Sequence, residues 1–338
     1  MRIELRSDTM TLPTAAMQEV MNSAPLGDDV YGEDPSVNML EEKAAEMFGM
    51  EAALFCPTGT MTNQLAIKVH TRPGDEVICD QLSHIYLYEG GGIAMNAFSS
   101  VRPLNGNFGR ITASMVAENI NNLADIHQPI TRMVSLENTV NKGGGSIYDF
   151  NEILKIKEVC TLNQIILHLD GARLFNALAE TKETPLDYGK AFDSISICLS
   201  KGLGCPVGSL LLGTKSFIAQ AKRYRKAIGG GWRQAGAMAA AGMYALDNHI
   251  GLLKEDHRRA KEIEKMLHQN SWVELVYPVK TNIVIAQLLT PFTSADFVEK
   301  LKQKDIHCVS FGKHLVRFVT HIDFTEEQLD HLKKELDF

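Results

Sequence analysis

Short runs of apolar residues alternate along this chain with longer segments in which apolar side chains recur every three or four positions. The short runs predict buried strands, and the longer segments predict helices with one buried face. Such alternation is typical of an α/β fold built on a mostly parallel sheet. The predicted strands cover 76–79, 132–136, 164–169, 194–199 and 208–212, and the predicted helices cover 14–22, 36–49, 111–122, 148–160 and 215–227.

The pattern changes near residue 248. A long charged helix over 250–268 is followed by shorter elements, which predict a small α/β domain packed on a larger one. We therefore expect a large domain over 1–247, which includes an N-terminal arm, and a small C-terminal domain over 248–338. The predicted elements of the small domain are 273–277, 283–288, 295–304, 307–310, 315–320 and 326–336.

Composition and charge narrow the class of protein. The chain has 338 residues with 45% apolar and 22% charged residues, which is ordinary for a globular protein. A net charge of −7 argues against non-specific nucleic-acid binding. The six cysteines have no CxxC spacing, so we expect reduced buried thiols and no metal site. The polar N-terminal segment and the absence of an apolar run of about 18 residues favour a cytoplasmic protein without membrane contact.

Two chemically distinctive residues follow the central predicted strands. Asp170 ends the strand 164–169, and Lys201 comes directly after the strand 194–199 and Ser200. Parallel strands deliver functional groups at their carboxyl ends, and a crossover of about 30 residues makes these two strands neighbours. Pyridoxal phosphate needs a lysine amine for its aldehyde and a carboxylate that keeps its ring nitrogen protonated. Taken singly, the aspartate is an ordinary turn residue and the lysine an ordinary solvated one.

A third feature favours the cofactor interpretation. The stretch AALFCPTGTMTNQLAIKVH predicts a strand, a turn and a helix, and Thr58, Gly59 and Thr60 fall where the helix begins. Backbone N–H groups at a helix start attract anions such as phosphate. Threonine and glycine are also common helix caps without any ligand. The pairing of this cradle with Asp170 and Lys201 is what favours pyridoxal phosphate.

Several motifs carry a family resemblance: LRSDTMT, GDDVYGEDP, PTGTMTNQ, HLDGAR and GGGWRQAG. In these motifs the chain resembles the low-specificity L-threonine aldolases of the aspartate aminotransferase-like superfamily. The similarity runs from Leu5 to about residue 247 and more loosely to the end. It implies the fold of type I pyridoxal phosphate enzymes, with a large mostly parallel sheet domain and a small C-terminal α/β domain.

The resemblance also assigns roles to individual residues. It implies that His84 stacks on the cofactor ring, and that His127 handles a proton near the substrate β-hydroxyl. Both histidines are also compatible with ordinary loop positions. Implied carboxylate ligands of the substrate are Ser7, Arg173 and Arg317. Cofactor contacts are implied for Thr58, Gly59, Thr60, His84, Asp170, Arg173, Ser200, Lys201 and Arg233.

Oligomeric assembly is implied as well. The family forms tetramers built from dimers, and the tyrosine that matches Tyr31 reaches the active site of a neighbouring subunit. An aromatic residue in the acidic loop GDDVYGEDP and the glycines before Trp232 and Arg233 suit a subunit boundary. We therefore expect a homotetramer with shared active sites.

One motif departs from the family. Where relatives commonly read ENTHN, this chain has Glu137, Asn138, Thr139, Val140 and Asn141. Val140 stands in place of the family's histidine, so the hydrogen bonds of that imidazole are missing, and its effect on the enzyme's stereochemical preference and reaction rate is an open question.

The function expected from these features is the retro-aldol cleavage of L-threonine, L-allo-threonine and related β-hydroxy-α-amino acids. The products are glycine and an aldehyde, which makes the protein a carbon–carbon lyase of amino-acid metabolism that links threonine breakdown to glycine formation. The same Lys201 and Asp170 serve β-elimination, racemisation or transamination, so these reactions remain alternatives. A non-catalytic assembly protein that keeps the fold is the rival from a different class.

Overall fold

The structure is a computed structural model that describes residues 1–336. Residues 337 and 338, the end of the predicted small domain, lie outside the described part. Its strands are β1 (Ile3–Glu4), β2 (Ala52–Cys56), β3 (Glu76–Asp80), β4 (Ser100–Leu104), β5 (Thr131–Glu137), β6 (Ile166–Gly171), β7 (Ser194–Cys198), β8 (Ser209–Gly213), β9 (Val273–Val276), β10 (Ile283–Leu288), β11 (Ile306–His307), β12 (Val309–Gly312) and β13 (Leu315–Val319).

Helices connect most of these strands. They are α1 (Ala15–Asn22), α2 (Pro35–Phe48), α3 (Gly59–His70), α4 (His84–Leu87), α5 (Ala113–Glu118), α6 (Phe150–Leu162), α7 (Leu174–Glu180), α8 (Pro185–Ala191), α9 (Lys215–Ala227), α10 (Gly236–Asn248), α11 (Leu253–Gln269), α12 (Ser294–Lys302) and α13 (Glu326–Glu335). None of the helices within residues 1–336 is both long enough and apolar enough to span a membrane.

The large sheet has seven strands in the order β2-β8-β7-β6-β5-β3-β4. Strand β8 pairs antiparallel with both of its neighbours, and the other pairs are parallel. The predicted mostly parallel sheet is therefore confirmed, and the strand that follows Lys201 is its antiparallel member. In register, Glu137 lies opposite Asp170, and Asp170 lies opposite Ser196. The ends of β5, β6 and β7 thus meet at one edge.

A smaller antiparallel sheet, in the order β12-β13-β10-β9, forms the C-terminal part. The short strand β1 pairs in parallel with β11, and Ile3 and Leu5 are buried in the hydrophobic cluster of this part. The N-terminal arm therefore packs with the C-terminal elements before it turns toward the large sheet. The domain boundary between residues 247 and 248 stays a prediction.

Local sequence explains where the helices begin. Helix α2 starts at Pro35 after Asp34, whose carboxylate accepts hydrogen bonds from two backbone N–H groups of the first turn, and it ends at Gly49 with φ of 61°. Helix α3 starts after Thr58, whose hydroxyl accepts from the backbone N–H of Met61. This cap fixes the first turn of α3 at the carboxyl edge of the large sheet.

Some predicted boundaries were wrong. The predicted helix 111–122 is only α5. Thr112 caps its start, and beyond its end Asn121 is held by the Thr131 hydroxyl and the Glu76 carboxylate. The predicted strand 307–310 is divided between β11 and β12, which join different sheets. The predicted strand 164–169 begins two residues later and continues to Gly171.

Candidate active site

Two adjoining cavities lie at the carboxyl edge of the large sheet, and both are lined by His84, Ala172 and Lys201. The small cavity has a volume of about 150 Å³ and the large cavity about 390 Å³. The small cavity is further lined by Thr58, Gly59, Thr60, Asn63, Asp170, Cys198 and Ser200. The large cavity is further lined by Ser7, Thr9, Tyr88, Glu137, Asn141, Arg173, Ser310, Phe311 and Arg317.

The carboxylate of Asp170 is buried at the end of β6 and held from two sides. Its Oδ2 accepts from Asn63 Nδ2 at 2.9 Å, and its Oδ1 accepts from the backbone N–H of Ala172 at 3.2 Å. Asp170 is 3% exposed. The side chain therefore has a fixed orientation in the small cavity that it shares with Lys201.

His84 is hydrogen-bonded to a second buried carboxylate, that of Glu89. Glu89 Oε1 lies 3.0 Å from His84 Nδ1, and it also accepts from Asn63 Nδ2 at 2.9 Å. Its Oε2 accepts from Gln64 Nε2 at 2.6 Å. Burial works against protonation of the ring, but the hydrogen bond to Glu89 and the charge of Asp170 outweigh it, so the pKa of His84 is raised. The ring is held with its Nδ1 toward Glu89.

Potential metal ligands occur in this cluster. Ligand atoms of His84, Glu89 and Asp170 all lie within 4.8 Å of one another. Each of the three is already engaged in the hydrogen bonds described above, and the Asn63 amide contacts both carboxylates. That no metal binds here stays a prediction.

Glu137 ends β5 and lines the large cavity. Its carboxylate accepts from the backbone N–H groups of His84 at 2.8 Å and of Asn141 at 2.9 Å. Burial together with the charge of Asp170 raises the pKa of Glu137 to about 7. Glu137 is thus a carboxyl group inside the cavity that can exist in either protonation state near neutral pH.

Arg173 is fixed by the N-terminal arm. Its Nε and Nη2 donate to the two oxygens of Asp8, both at 2.7 Å, in a bidentate pair. Asp8 is fully buried, and burial disfavours its charge, yet the Arg173 guanidinium holds the pKa of Asp8 well below its usual range. This pair places the remaining edge of the guanidinium at the large cavity.

Arg317 approaches the same cavity from β13. Its Nη1 donates to Asn141 Oδ1 at 2.8 Å and its Nη2 to the backbone carbonyl of Arg6 at 2.9 Å. The guanidinium carbon lies 4.6 Å from the ring centre of Phe311. Burial and the nearby charge of Arg173 lower the pKa of Arg317 to about 10. Arg317 Nε is buried and has no hydrogen-bond partner within residues 1–336, and the residue lines the large cavity.

The predicted phosphate cradle lines the small cavity together with Ser200. Thr58 is the cap of α3, so Gly59 and Thr60 occupy the first turn of a helix of 12 residues. The first N–H groups of a helix lack intrahelical partners and carry partial positive charge. The donor set of the small cavity therefore fits an anionic group at one end and a protonated ring nitrogen at Asp170.

Three predicted site residues are not brought to either cavity. The side chain of His127 is 88% exposed on a loop, where Asp125 holds its Nδ1 at 3.0 Å. Tyr31 is 76% exposed, and Arg233 pairs with Asp28 at 3.0 Å on the surface. Within one chain, none of these three side chains contacts the region around Lys201. Their predicted roles therefore stay predictions that require another subunit.

The position that departs from the family is also not in the cavities. Val140 is fully buried in the main hydrophobic cluster, and its side chain packs beside Gly109, where φ is 80°. The neighbouring Asn141, in contrast, holds Arg317.

Five residues of the site were missed from the sequence: Asp8, Asn63, Glu89, Glu137 and Asn141. Most of their contacts join residues far apart in sequence, since Asp8 holds Arg173, Asn63 holds Asp170 and Asn141 holds Arg317. A usable signal existed for Asn63, which comes one turn after the cradle on α3 and thus faces the same edge. Asp8 and Asn141 lie inside motifs that the sequence analysis singled out for other residues.

Comparisons with known proteins identify the family of this chain. The family model described as beta-eliminating lyase matches residues 4–290. A low-specificity L-threonine aldolase of Escherichia coli O157:H7 is 41% identical over 97% of this chain and 96% of its own length. The low-specificity L-threonine aldolase of Candida albicans is 39% identical over 98% of this chain and 88% of its own length.

Solved structures share the fold. A Leishmania major threonine aldolase superposes with a TM-score of 0.84 at 20% identity over 98% of this chain and 97% of its own. A Sphingomonas wittichii serine palmitoyltransferase superposes with a TM-score of 0.76 at 16% identity over 98% of this chain and 86% of its own. The predicted fold and the predicted resemblance are confirmed. The chain belongs to the beta-eliminating lyase family, among the relatives of the low-specificity L-threonine aldolases.

Proposed function

We propose that this protein is a pyridoxal phosphate-dependent lyase that cleaves the Cα–Cβ bond of L-threonine, L-allo-threonine and related β-hydroxy-α-amino acids. The products are glycine and an aldehyde, which is acetaldehyde when the substrate is threonine. The observation that carries the proposal is the adjacency of the two cavities. Lys201 and Asp170 line one of them, two arginines line the other, and Lys201 is common to both.

The cofactor would be held by residues of the small cavity. Lys201 would bind its aldehyde carbon, Asp170 its ring nitrogen, and the first turn of α3 with Ser200 its phosphate. His84 also lines this cavity and would lie against the ring. Pyridoxal phosphate supplies an electron sink for the pair of electrons that the broken Cα–Cβ bond releases.

The large cavity would orient the amino acid. Arg317 is held by Asn141 and the Arg6 carbonyl, and Arg173 is held by Asp8, so both guanidinium groups are fixed before a carboxylate arrives. Ser7 lines the same cavity beside them. A carboxylate held by such forks fixes rotation about the Cα bonds, and the bond that breaks is the one held perpendicular to the ring.

Proton handling at the β-hydroxyl would fall to groups in the same cavity. Within one chain the candidates are His84 and Glu137, because His127 lies on an exposed loop elsewhere. Removing the proton of the β-hydroxyl converts this oxygen into the aldehyde carbonyl. If His127 takes part, it must do so in the site of a second subunit.

We infer a homotetramer, a dimer of dimers with shared sites, from the same surface residues. Tyr31 and Arg233 lie on one exposed surface around Asp28, although neither reaches its own cavity. An exposed tyrosine beside a paired arginine suits contact with a neighbour. A cytoplasmic location remains a prediction.

Shared sites can be tested by mixing variants. Lys201→Ala and Tyr31→Ala should each be inactive alone, and after dissociation and reassembly together they should regain part of the activity. Each variant taken through the same dissociation and reassembly on its own serves as the control. A fully active monomer in light scattering would contradict the inference.

The reaction itself is tested by its products. Purified protein with pyridoxal phosphate and L-threonine should release glycine and acetaldehyde in equal amounts. Ammonia together with a 2-oxo acid would instead indicate β-elimination. A 2-oxo acid without ammonia, with the amino group retained on the cofactor or passed to an added 2-oxo acid, would indicate transamination, and an altered optical rotation with the carbon skeleton intact would indicate racemisation. Absence of a visible cofactor absorption band would reject the cofactor and with it the lyase proposal.

A further inference from the structure

A chain of buried hydrogen bonds crosses the large domain beneath the active site. It starts at His70, the last residue of α3, whose Nε2 lies 3.0 Å from Ser194 Oγ. Ser194 Oγ lies 2.8 Å from His168 Nδ1, and His168 Nε2 lies 3.2 Å from Asn63 Oδ1. His168, Asn63 and Ser194 are at most 2% exposed. None of these contacts is needed for the secondary structure.

The His70 end of this series of hydrogen bonds lies at a cavity on the opposite edge of the sheet. His70 lines a cavity of about 360 Å³ together with Ile166 and Asp193, which stand at the amino ends of β6 and β7. The ring of His70 stacks on Phe217 with centroids 4.3 Å apart. The hydrogen bonds therefore run from the amino edge of the sheet to its carboxyl edge.

Asn63 is the branch point at the active-site end. Its single amide nitrogen donates to Asp170 Oδ2 and to Glu89 Oε1, both at 2.9 Å. Asp170 is the proposed partner of the cofactor ring nitrogen, and Glu89 is the partner of His84. One side chain thus supports both the carboxylate below the cofactor and the histidine against it.

The chemistry of the donors fixes the direction of every bond. An amide nitrogen only donates, so Asn63 Nδ2 must face the two carboxylates and Asn63 Oδ1 must accept. His168 therefore carries its proton on Nε2, which leaves Nδ1 as an acceptor for the Ser194 hydroxyl. Ser194 Oγ then accepts from Nε2–H of His70. All the bonds point the same way, toward the carboxylates.

This arrangement requires that His168 and His70 are neutral, and their surroundings keep both rings unprotonated. Burial lowers the pKa of His168 to about 3, and the neighbouring His70 adds to this effect. Burial lowers the pKa of His70 to about 4. Both rings therefore stay neutral across the working pH range, and a neutral ring has one donor and one acceptor.

We propose that the aligned chain His70–Ser194–His168–Asn63 locks the orientation of the Asn63 amide and thereby keeps Asp170 and Glu89 as oriented anions. His168 is then a positioning residue for the cofactor, although it touches neither cavity. If the chain is broken at His168, the Asn63 amide can turn its oxygen toward the carboxylates, which disfavours their charge. The inference rests on the proposed function, because Asp170 is assumed to face the ring nitrogen.

The test replaces His168 by Phe, which keeps a buried ring but removes both nitrogen atoms. A matched control is His257→Phe, because His257 is also buried and contacts an amide, Asn176, at 3.1 Å and a carboxylate, Glu180, at 2.6 Å. His168→Gln keeps an N–H donor of similar reach and is the rescue variant. The readouts are the dissociation constant of pyridoxal phosphate by absorbance titration and that of its analogue with carbon in place of the ring nitrogen.

For His168→Phe we expect the affinity for pyridoxal phosphate to fall by about fivefold to a hundredfold, the effect of leaving a buried acceptor unpaired. Affinity for the carbon analogue should change far less, since that ring has no nitrogen to pair with Asp170. His257→Phe should affect the two ligands equally, and His168→Gln should bind like the wild type. An equal loss for both ligands in His168→Phe would overturn the proposal.

A second measurement does not depend on the variants or on activity. Nitrogen NMR of histidine-labelled wild-type protein should report His168 and His70 as neutral rings protonated at Nε2 between about pH 5 and 8. A proton on Nδ1 of His168, or titration of that ring in this range, would overturn the proposal even if every variant failed to fold. If the wild type binds no pyridoxal phosphate at all, the proposed function fails, whereas the NMR result still decides whether the aligned chain exists.

Discussion

The buried pair between Asp8 and Arg173 allows a sharp prediction for Asp8→Asn. In the wild type two N–H groups of Arg173 meet two carboxylate oxygens at 2.7 Å. Asparagine has nearly the same shape but offers one oxygen, and its amide hydrogens would face a guanidinium N–H. Asn282, which donates to Asp8 Oδ2 at 3.1 Å, keeps its acceptor only when the asparagine oxygen takes the Oδ2 position. The variant therefore loses at least one charge-assisted bond and leaves Arg173 with an uncompensated charge.

Two magnitudes follow from this geometry. Because Asp8 is fully buried, breaking the pair should lower the free energy of unfolding by about 3–5 kcal/mol. A mispositioned Arg173 should in addition lose a charge-assisted contact to the substrate carboxylate, which costs about 1.5–3 kcal/mol. That second loss corresponds to roughly a tenfold to hundredfold decrease in kcat/KM. The decrease should appear as a higher KM and also as a lower kcat, because orientation about Cα is loosened.

The assay compares Asp8→Asn with the wild type in two measurements. One is denaturant unfolding, and the other is steady-state kinetics with L-threonine and with L-allo-threonine. Glu76→Gln is the matched control, since Glu76 is a mostly buried carboxylate that pairs with Arg102 Nε at 2.9 Å, away from both cavities. We expect the control to lose stability without a change in KM for either amino acid. If Asp8→Asn is destabilised but its kcat/KM matches that of the wild type, Asp8 only supports the fold and the reasoning about Arg173 is wrong.

The pH dependence of the same pair has a definite sign. The folded-state pKa of Asp8 lies below that of the unfolded chain, so the folded protein releases this proton more readily. The stability contributed by the pair is fully present above about pH 4, which is the pKa of an aspartate in the unfolded chain, and it is lost as the pH falls further. Acid unfolding should therefore be less steep in Asp8→Asn than in the wild type.

Three further predictions concern other groups. Lys201→Ala should lose the visible absorption of the bound cofactor and several orders of magnitude in turnover with the fold intact, and an unchanged spectrum with wild-type activity would reject the assignment. Arg317→Lys should raise KM and lower kcat, because an ammonium cannot reproduce the planar fork, with nearly unchanged cofactor affinity in an absorbance titration. Burial raises the pKa of Asp256 to about 8, so the folded state binds this proton more tightly and wild-type stability should fall between about pH 4 and 8 by at most roughly 1.4 kcal/mol per pH unit. Asp256→Asn should accordingly be more stable than the wild type at pH 8 and equal to it near pH 4 in thermal unfolding, and equal stability at both pH values would refute this.

Much of the fold could be predicted from the sequence because apolar runs and their spacing report burial directly. The mostly parallel sheet and the helix over Lys215–Ala227 were predicted in this way. Predictions failed where a distant contact decides the outcome. The helix after Ile111 ends early because Asn121, which follows it, is held by Thr131 and Glu76, and one predicted strand is divided because its two halves pair in different sheets.

The active site shows the same division at the level of single residues. Asp170 and Lys201 could be predicted because the cofactor requires a carboxylate and a lysine amine, and because parallel strands present functional groups at their carboxyl ends. Asn63 and Glu89 carry no such mark, since an asparagine on a helix and a glutamate in a loop are ordinary until the fold places them 2.9 Å apart. Residues that meet the ligand are thus constrained by its chemistry, whereas residues that orient them are constrained only by geometry. A variant at a position such as His168 consequently tests something that sequence motifs alone do not reach: whether the buried hydrogen bonds, and not merely the presence of Asp170, determine how the cofactor is held.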